Sequence, residues 1–407
     1  MRFGAGVPIG ILVVALAAAG CSGSSPSQPP ADLPATVAGR AAVSGGAGGP
    51  APGVARGAHR LGGVRRAVSE CTGSGSGSFI GANNSNVADG VDSGVLSGQY
   101  NDACDYGSGI VAGEDNIINS SGSYNLEFIG GGSGNAITGG SGTFIGGGNV
   151  NTISGSGPDL AFIGGGAQNT ISAGVYLQGA YAFIGGGYKN AVSNSYGVVA
   201  GGATNTVSGQ LAVVGGGLSN KALANYATIP GGDANEASGL NSLAAGTKAW
   251  AATSGAFVWS DDSGGTQLKS SANNQFLAKA SGGVKFFSNA TLTTGVSLAA
   301  GGGSWASLSD RAVKTNVESV NDGVMLDKVA SLPITQWSYI SERGVRHVGP
   351  MAQDFYAAFG VGEDNKHITS VDEDGVALAA IKALHQQVAE LRAEVRELKR
   401  EMAIHVR

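Results

Sequence analysis

From Ser78 onward the apolar residues come in pairs, and the pairs return at a regular interval. Phe-Ile-Gly-Gly-Gly stands verbatim at 128–132, 144–148, 162–166 and 183–187. Looser copies are Phe79-Ile80-Gly81, Val198-Val199-Ala200-Gly201-Gly202 and Val213-Val214-Gly215-Gly216-Gly217. An asparagine follows three residues after the last glycine of each full copy. The series runs Asn86, Asn101, Asn116, Asn135, Asn151, Asn169, Asn190, Asn205, Asn220 and Asn235. Its spacings are 15, 15, 19, 16, 18, 21, 15, 15 and 15, so the base period is 15 with insertions of one to six residues in the middle copies. A period of this kind overrides local secondary-structure signals.

Each copy holds an apolar pair such as Phe162-Ile163, a glycine turn, the asparagine, and a second short apolar stretch such as Thr170-Ile171. That predicts two strands of about five residues per copy, joined by turns. Nine of the ten copies place glycine three residues before the asparagine, the exception being Asn83. Glycine and asparagine tolerate positive φ, so this place is predicted to be a left-handed turn. One copy cannot bury its apolar face alone, whereas stacked copies can. The expected fold is mostly β: an elongated trimeric β-roll or β-solenoid of about ten repeats over 73–250.

Residues 251–304 read as a connector with β-like pieces at Ala256-Phe257-Val258-Trp259, Gln275-Phe276-Leu277-Ala278 and Val284-Lys285-Phe286-Phe287. Helical periodicity takes over further on. Ile381, Leu384, Val388, Leu391, Val395, Leu398 and Met402 alternate spacings of three and four, a heptad seam with the leucines at d. Glu394 at g and Lys399 at the following e favour a parallel, in-register coiled coil over 376–403. An amphipathic helix packed on its own domain is the competing reading. Three heptads are marginal alone, so the globular part must help to hold them together.

Composition sharpens this division. The chain has 407 residues, of which 71 are glycine, well above the usual share of about 7%. No Gly-X-Y period exists, which excludes collagen. Charged residues are sparse between 73 and 303 and dense after 309, marking a boundary to a small α+β domain over 305–407. The net charge of −5 and the lack of a basic patch with interleaved aromatics exclude nucleic acid as a partner. Ten phosphate-binding glycine loops are excluded because no helix pattern follows them. Calcium-binding nonapeptides need a regular aspartate, and the aspartates here are sporadic. The sequence calls for no metal and no cofactor.

Residues 1–20 read as an export signal, with Arg2 as the positive end and an apolar stretch from Val7 to Ala19 that is too short to span a bilayer. The ending Ala18-Ala19-Gly20-Cys21 resembles a bacterial lipobox, although that pattern prefers leucine where Ala18 stands. It implies lipidation of Cys21 and an anchor at the outer membrane or cell surface, with plain cleavage as the alternative. Residues 21–72, rich in Pro, Ala, Gly and Ser, read as a flexible tether. Cys71 and Cys104 lie in the exported region, where a disulfide persists, and two buried thiols are an equal alternative.

The segment Ser309-Asp310-Arg311-Ala312-Val313-Lys314-Thr315-Asn316-Val317 carries the candidate chemistry. A serine hydroxyl needs a base to act as nucleophile, and serine–lysine pairs are an attested arrangement. A lysine amine serves only when neutral, which burial favours. Five residues put the two side chains roughly 140° apart on a helix and on opposite faces of a strand. The pair therefore needs an irregular segment or a partner subunit to meet. The bland alternative makes Ser309 a helix cap and Lys314 a solvated charge.

The segment resembles the opening of the intramolecular chaperone domain of endosialidase tail spikes, peptidase family S74. That family shows Ser-Asp, a basic residue, and a lysine five places after the serine. A second block, Ile334-Thr335-Gln336-Trp337-Ser338-Tyr339 with His347-Val348-Gly349-Pro350-Met351-Ala352-Gln353-Asp354-Phe355, is similar to the family's aromatic strand and Gly-x-x-Ala-Gln-Glu signature. The C-terminal helix is the third block. Ala312 stands where the family often has arginine, and Asp354 where it often has glutamate. The resemblance implies a homotrimerising domain that cuts itself off between Leu308 and Ser309, with Ser309 as nucleophile, Lys314 as base and Asp310 either orienting the pair or holding the turn. His347 stays outside this set, because lone histidines are usually structural. The repeats resemble the head of trimeric autotransporter adhesins, most closely at Asn241-Ser242-Leu243-Ala244-Ala245-Gly246-Thr247-Lys248-Ala249.

The reading that results is an exported cell-surface fibre or adhesin, binding an unknown glycan or protein, that is an autoproteolytic serine endopeptidase towards itself alone. The alternative is a non-catalytic trimeric binding protein that keeps its C-terminal domain as a permanent clamp. Glycan-degrading activity in the shaft would need paired carboxylates, and Asp89, Asp92, Asp102, Asp105, Glu114, Asp115 and Glu127 are thinly spread with no repeated pair.

Overall fold

The computed structural model describes residues 71, 75–81, 85–120, 125–155, 159–173 and 180–405. The export signal, Cys21, the tether apart from Cys71, and Asn83 lie outside the described residues. The repeats wind into a parallel β-solenoid of about twelve turns. Each coil gives one short strand to a first sheet, ordered from Phe79–Ile80 to Phe276–Lys279, and one to a second sheet of twelve strands, from Val87–Ala88 to Leu268–Lys269.

Register follows the repeat. Phe144, Phe162 and Phe183 pair in turn, and Ile145, Ile163 and Ile184 pair beside them. On the second sheet Ile137, Ile153, Ile171 and Val192 form the matching ladder. The two ladders face inwards and meet as the core, where every one of these residues except the phenylalanines is fully buried. Burying one isoleucine contributes about 1.5–3 kcal/mol. Two per coil cannot hold a coil by itself, whereas a stack of coils shares its faces along the whole column.

A buried asparagine ladder fixes one corner. Asn169 Nδ2 donates to Asn151 Oδ1 at 3.0 Å, to Gly165 O at 2.9 Å and to Gly187 O of the next coil at 2.9 Å. Its Oδ1 accepts from the amide of Asn190 at 3.0 Å and from Asn190 Nδ2 at 3.1 Å. The same pattern runs from Asn86 to Asn235. The glycine three places before each asparagine takes positive φ from Gly98 to Gly232, as its spacing predicts. At Gly166, with φ +88°, a Cβ would also stand 2.2 Å from Gly187 O. Conformation and close approach both demand glycine there.

Insertions obey the same logic. From each buried first-sheet residue to the asparagine the spacing is constant, as from Ile163 to Asn169 and from Ile184 to Asn190. In sequence, the extra residues of the longer coils fall between the second-sheet strand and the next first-sheet strand. An insertion at the asparagine corner would break cross-coil hydrogen bonds, so the length varies only in that later connection.

The solenoid continues past residue 250, where its expected span ended. Phe257–Ser260 and Phe276–Lys279 extend the first sheet, and Leu268–Lys269 extends the second. The asparagine ladder ends before them, because Ala249 takes the next place and gives only its amide, 2.9 Å from Asn235 Oδ1. With the marker residue gone, these coils carry no readable period. A three-stranded antiparallel sheet follows, Val284–Phe287, Gly295–Leu298 and Trp305–Ser307.

Near its start the chain is closed by a disulfide between Cys71 and Cys104, with Cα atoms 5.8 Å apart. A buried carboxyl pair lies close by in sequence. Glu127 is 1% exposed and fills the interior place that Ser108 and Thr143 fill in adjoining coils. Its Oε1 accepts from Ser120 Oγ at 2.9 Å, and the Ser120 amide donates to Asp105 Oδ2 at 2.5 Å. Glu127 Oε2 has no partner. No Lys, Arg or His lies between Cys71 and Tyr188 in sequence. Burial, reinforced by the Asp105 charge, pushes the Glu127 carboxyl up to about 7 against the donor at Ser120, and burial raises Asp105 too.

Folded Glu127 keeps its proton up to about 7, whereas the unfolded chain releases it near 4.5. The stability contributed is complete below the lower value and falls as pH rises through this window, by up to about 1.4 kcal/mol per pH unit. Glu127→Gln keeps the shape without the charge. Thermal melting across the window should show a falling wild-type Tm and a flatter variant; parallel curves would show that Glu127 does not titrate there.

Beyond the sheets come α1 (Asp322–Ser331), the hairpin Thr335–Trp337 with His347–Gly349, α2 (Ala352–Phe359) and α3 (Ser370–His405). Asn321 caps α1 by accepting from the Val324 amide at 3.1 Å, and left-handed Gly360 ends α2. Phe355, Phe359 and Val376 form a small core with Met325, Val329 and Leu332. Lys382 on α3 pairs with Asp322 on α1 at 2.6 Å. This packing uses only the beginning of α3, at Val376, Ala380 and Ala383. The heptad seam points elsewhere, and Ile381, Leu391 and Met402 are 62%, 59% and 60% exposed.

Candidate active site

The last strand before the candidate site ends at Ser307, and the Leu308 amide still donates to Gly295 O at 3.3 Å. The backbone then leaves the sheet. Asp310 takes extended geometry, and its Oδ1 accepts from the Ala312 amide at 2.9 Å. That bond caps a single 3-10 turn, Arg311–Val313, closed by the Lys314 amide donating to Arg311 O at 3.2 Å. The turn folds the lysine back on the serine. Lys314 Nζ donates to Ser309 Oγ at 2.6 Å.

An irregular segment within one chain thus brings together two groups that neither a helix nor a strand could join. Asp310 touches neither of them through a hydrogen bond that the structure gives; it holds the turn. Leu308, Ser309, Asp310 and Lys314 are all exposed in the single chain. The segment sets a hydroxyl, an amine 2.6 Å from it and the adjoining peptide bond side by side, the group types that acyl transfer draws on.

The match to known families falls on this place. Residues 309–361 match the Peptidase_S74 family, the chaperone of endosialidase. No curated protein matches the chain. The Peptidase_S74 match opens on Ser309, one residue past the bond to Leu308, and is preceded by the β-solenoid. It ends at 361, so α3 lies outside it.

Within the Peptidase_S74 segment, His347 belongs to the aromatic hairpin. Its ring stacks on Trp337 with centroids 4.8 Å apart and meets Tyr339 edge-on at 5.4 Å. The hairpin is tied by Arg346 donating to Gln336 at 2.9 Å. The block around Gln353 and Asp354 opens α2, whose Phe355 enters the core. These residues place the segment's scaffold. Among the described residues no group of three or more His, Cys, Asp or Glu is placed to hold a metal ion, and no helix is long and apolar enough to cross a membrane.

Sequence reasoning missed a lock between the last coils. Asp261 accepts from Ser281 and Ser263 and pairs with Lys279 at 3.4 Å. These hydrogen bonds hold its carboxyl well below the usual carboxylate range. Ser263 is a local partner, but Ser281 and Lys279 are distant in sequence, so no local pattern could have pointed to the lock.

Proposed function

We propose that this chain is an exported, lipid-anchored homotrimeric fibre whose C-terminal domain brings three copies together and then severs itself between Leu308 and Ser309. The observation that carries this reading is Lys314 Nζ at 2.6 Å from Ser309 Oγ, at the first residue of the Peptidase_S74 match. A neutral Lys314 amine would take the Ser309 hydroxyl proton while Oγ attacks the carbonyl carbon of Leu308. The C–N bond then breaks, the proton passes to the departing Ser309 amine, and the Leu308 acyl group rests on Oγ as an ester. Water hydrolyses that ester, leaving a Leu308 carboxylate and a separate segment of residues 309–407.

Burial would favour the neutral amine, and the single chain leaves Lys314 exposed. Two further copies drawn in by α3 would supply that cover and link cutting to assembly. The signal-like composition of residues 1–20 and the lipobox-like ending at Cys21 support a fibre held at the outer membrane or cell surface, where the shaft would meet a glycan or protein ligand. The seam of α3 tests the assembly step. Leu391→Asp puts three charges at one level of a trimeric seam and should convert the trimer to monomer in light scattering. A wild-type monomer would sink the assembly reading.

The exposure of Ser309 and Lys314 also favours a second reading, in which the domain stays uncut as a clamp. N-terminal sequencing separates the two: a fragment beginning at Ser309 supports self-cleavage, and an intact trimer supports the clamp.

A further inference from the structure

We propose that the outer face of the first sheet is the surface on which three copies of the shaft pack, with the phenylalanine row turned towards the trimer axis. This rests on the trimeric assembly proposed above and names its contact surface.

The two sheets differ in what they turn outwards. None of the thirteen residues that open the successive first-sheet strands, from Phe79 to Phe276, is charged. The second sheet turns out Asp102, Lys221, Glu236 and Lys269. On the first sheet Phe128 and Phe183 are 37% and 38% exposed, far more than a solenoid core residue. The adjoining corner adds a ridge of exposed Leu160, Tyr181, Tyr196, Leu211 and Tyr226. These residues hold left-handed backbone, which gives a large side chain no conformational benefit. Their size therefore serves contact rather than turn formation.

The geometry selects the occupant. Phe128, Phe144, Phe162 and Phe183 stack with centroids 5.1 to 5.4 Å apart and planes within 12°. Their faces are spent on one another, and their edges point outwards. A sugar ring that stacks on aromatic faces finds none here. Thirteen strands at about 4.8 Å make a strip roughly 60 Å long, and four residues across make it about 13 Å wide. That is roughly 800 Å² per copy, the size of a stable protein interface, and larger than a monomer ordinarily leaves apolar. A partner must keep the coil-to-coil rise in register along this length. A second copy of the chain has that rise by construction. Beside the ring row the strip carries the small residues Gly146, Gly164, Gly185 and Ala200.

The experiment uses the full chain with single cysteines and a short bismaleimide, read on denaturing gels against the parent. Phe162→Cys and Val198→Cys lie on the proposed face, Lys221→Cys on the second sheet, and Leu391→Cys on α3. Both first-sheet variants should shift to cross-linked species at least tenfold more than Lys221→Cys, with Leu391→Cys linking as well. Linking at Lys221 and Leu391 without linking at Phe162 and Val198 would overturn the face while keeping the trimer. Failure at all four positions would overturn both. Val198→Cys keeps the test sound should the loss of the Phe162 ring disturb folding.

Discussion

Ser309→Ala is expected to leave the chain whole, with no fragment of residues 309–407 on N-terminal sequencing or intact mass measurement. The substitution removes Oγ, the only side-chain atom that the proposed reaction attaches to the Leu308 acyl group. Loss of a nucleophile of this kind costs on the order of 10⁴ or more in rate. Ser309 is exposed, so the change should shift stability by no more than about 0.5 kcal/mol. Lys314→Ala should give the same uncut trimer, because Oγ then lacks its partner at 2.6 Å. Lys314→Arg should fail as well, since a guanidinium stays protonated and cannot accept the serine proton. If both lysine variants cut at the wild-type rate, Lys314 is a surface charge that happens to rest on Ser309. Asp310→Ala separates support from chemistry. It removes the cap on the Ala312 amide, and the expected result is slowed cutting with an unchanged pH profile, because Asp310 positions the turn and exchanges no proton.

The coil was legible because it repeats. The asparagine period, the glycine three places earlier and the insertions all stood in the sequence, since each copy must satisfy the same neighbours above and below. A second left-handed position, directly before each asparagine, was not legible. Tyr100, Asp115, Val150, Gln168, Lys189 and Ala234 all occupy it with φ between 53° and 57°. Cross-coil backbone hydrogen bonds force that conformation, such as Gln168 N to Asn149 O at 2.9 Å, so no residue type marks it. The serine–lysine contact was half legible. The residue types and their spacing were readable, but ideal helix and strand geometry separate them. A turn held by one aspartate closes the gap, and a single short-range hydrogen bond leaves little trace in composition. The heptad seam of α3 was readable in full, while its packed opening at Val376, Ala380 and Ala383 was not, because small alanines signal packing poorly.

Asn169→Ala should cost the solenoid about 3–5 kcal/mol, a large share of what marginal stability allows. The residue is fully buried in mid-ladder. Truncation strips the Asn190 amide of its acceptor at 3.0 Å and strips Gly165 O and Gly187 O of their side-chain donor. Gly187 O keeps the Ala167 amide at 2.8 Å, so the heaviest loss is the buried Asn190 amide. Each unpaired buried group costs about 1–3 kcal/mol, and the cavity adds to it. Asn169→Asp is expected to be worse. It keeps an acceptor for Asn190 but turns an acceptor towards the two glycine carbonyls, and a buried carboxylate without a cation is costlier than a lost amide. Asn149→Ala is the control. Asn149 belongs to the preceding coil, where it pairs with Ala167 of the Asn169 coil through backbone, and its side chain is exposed. It should change stability by less than about 0.5 kcal/mol. Urea unfolding of the three variants decides the matter. If Asn169→Ala unfolds with the wild type, the ladder lines the corner without holding it, and the glycine turn with the isoleucine columns must carry the coil unaided.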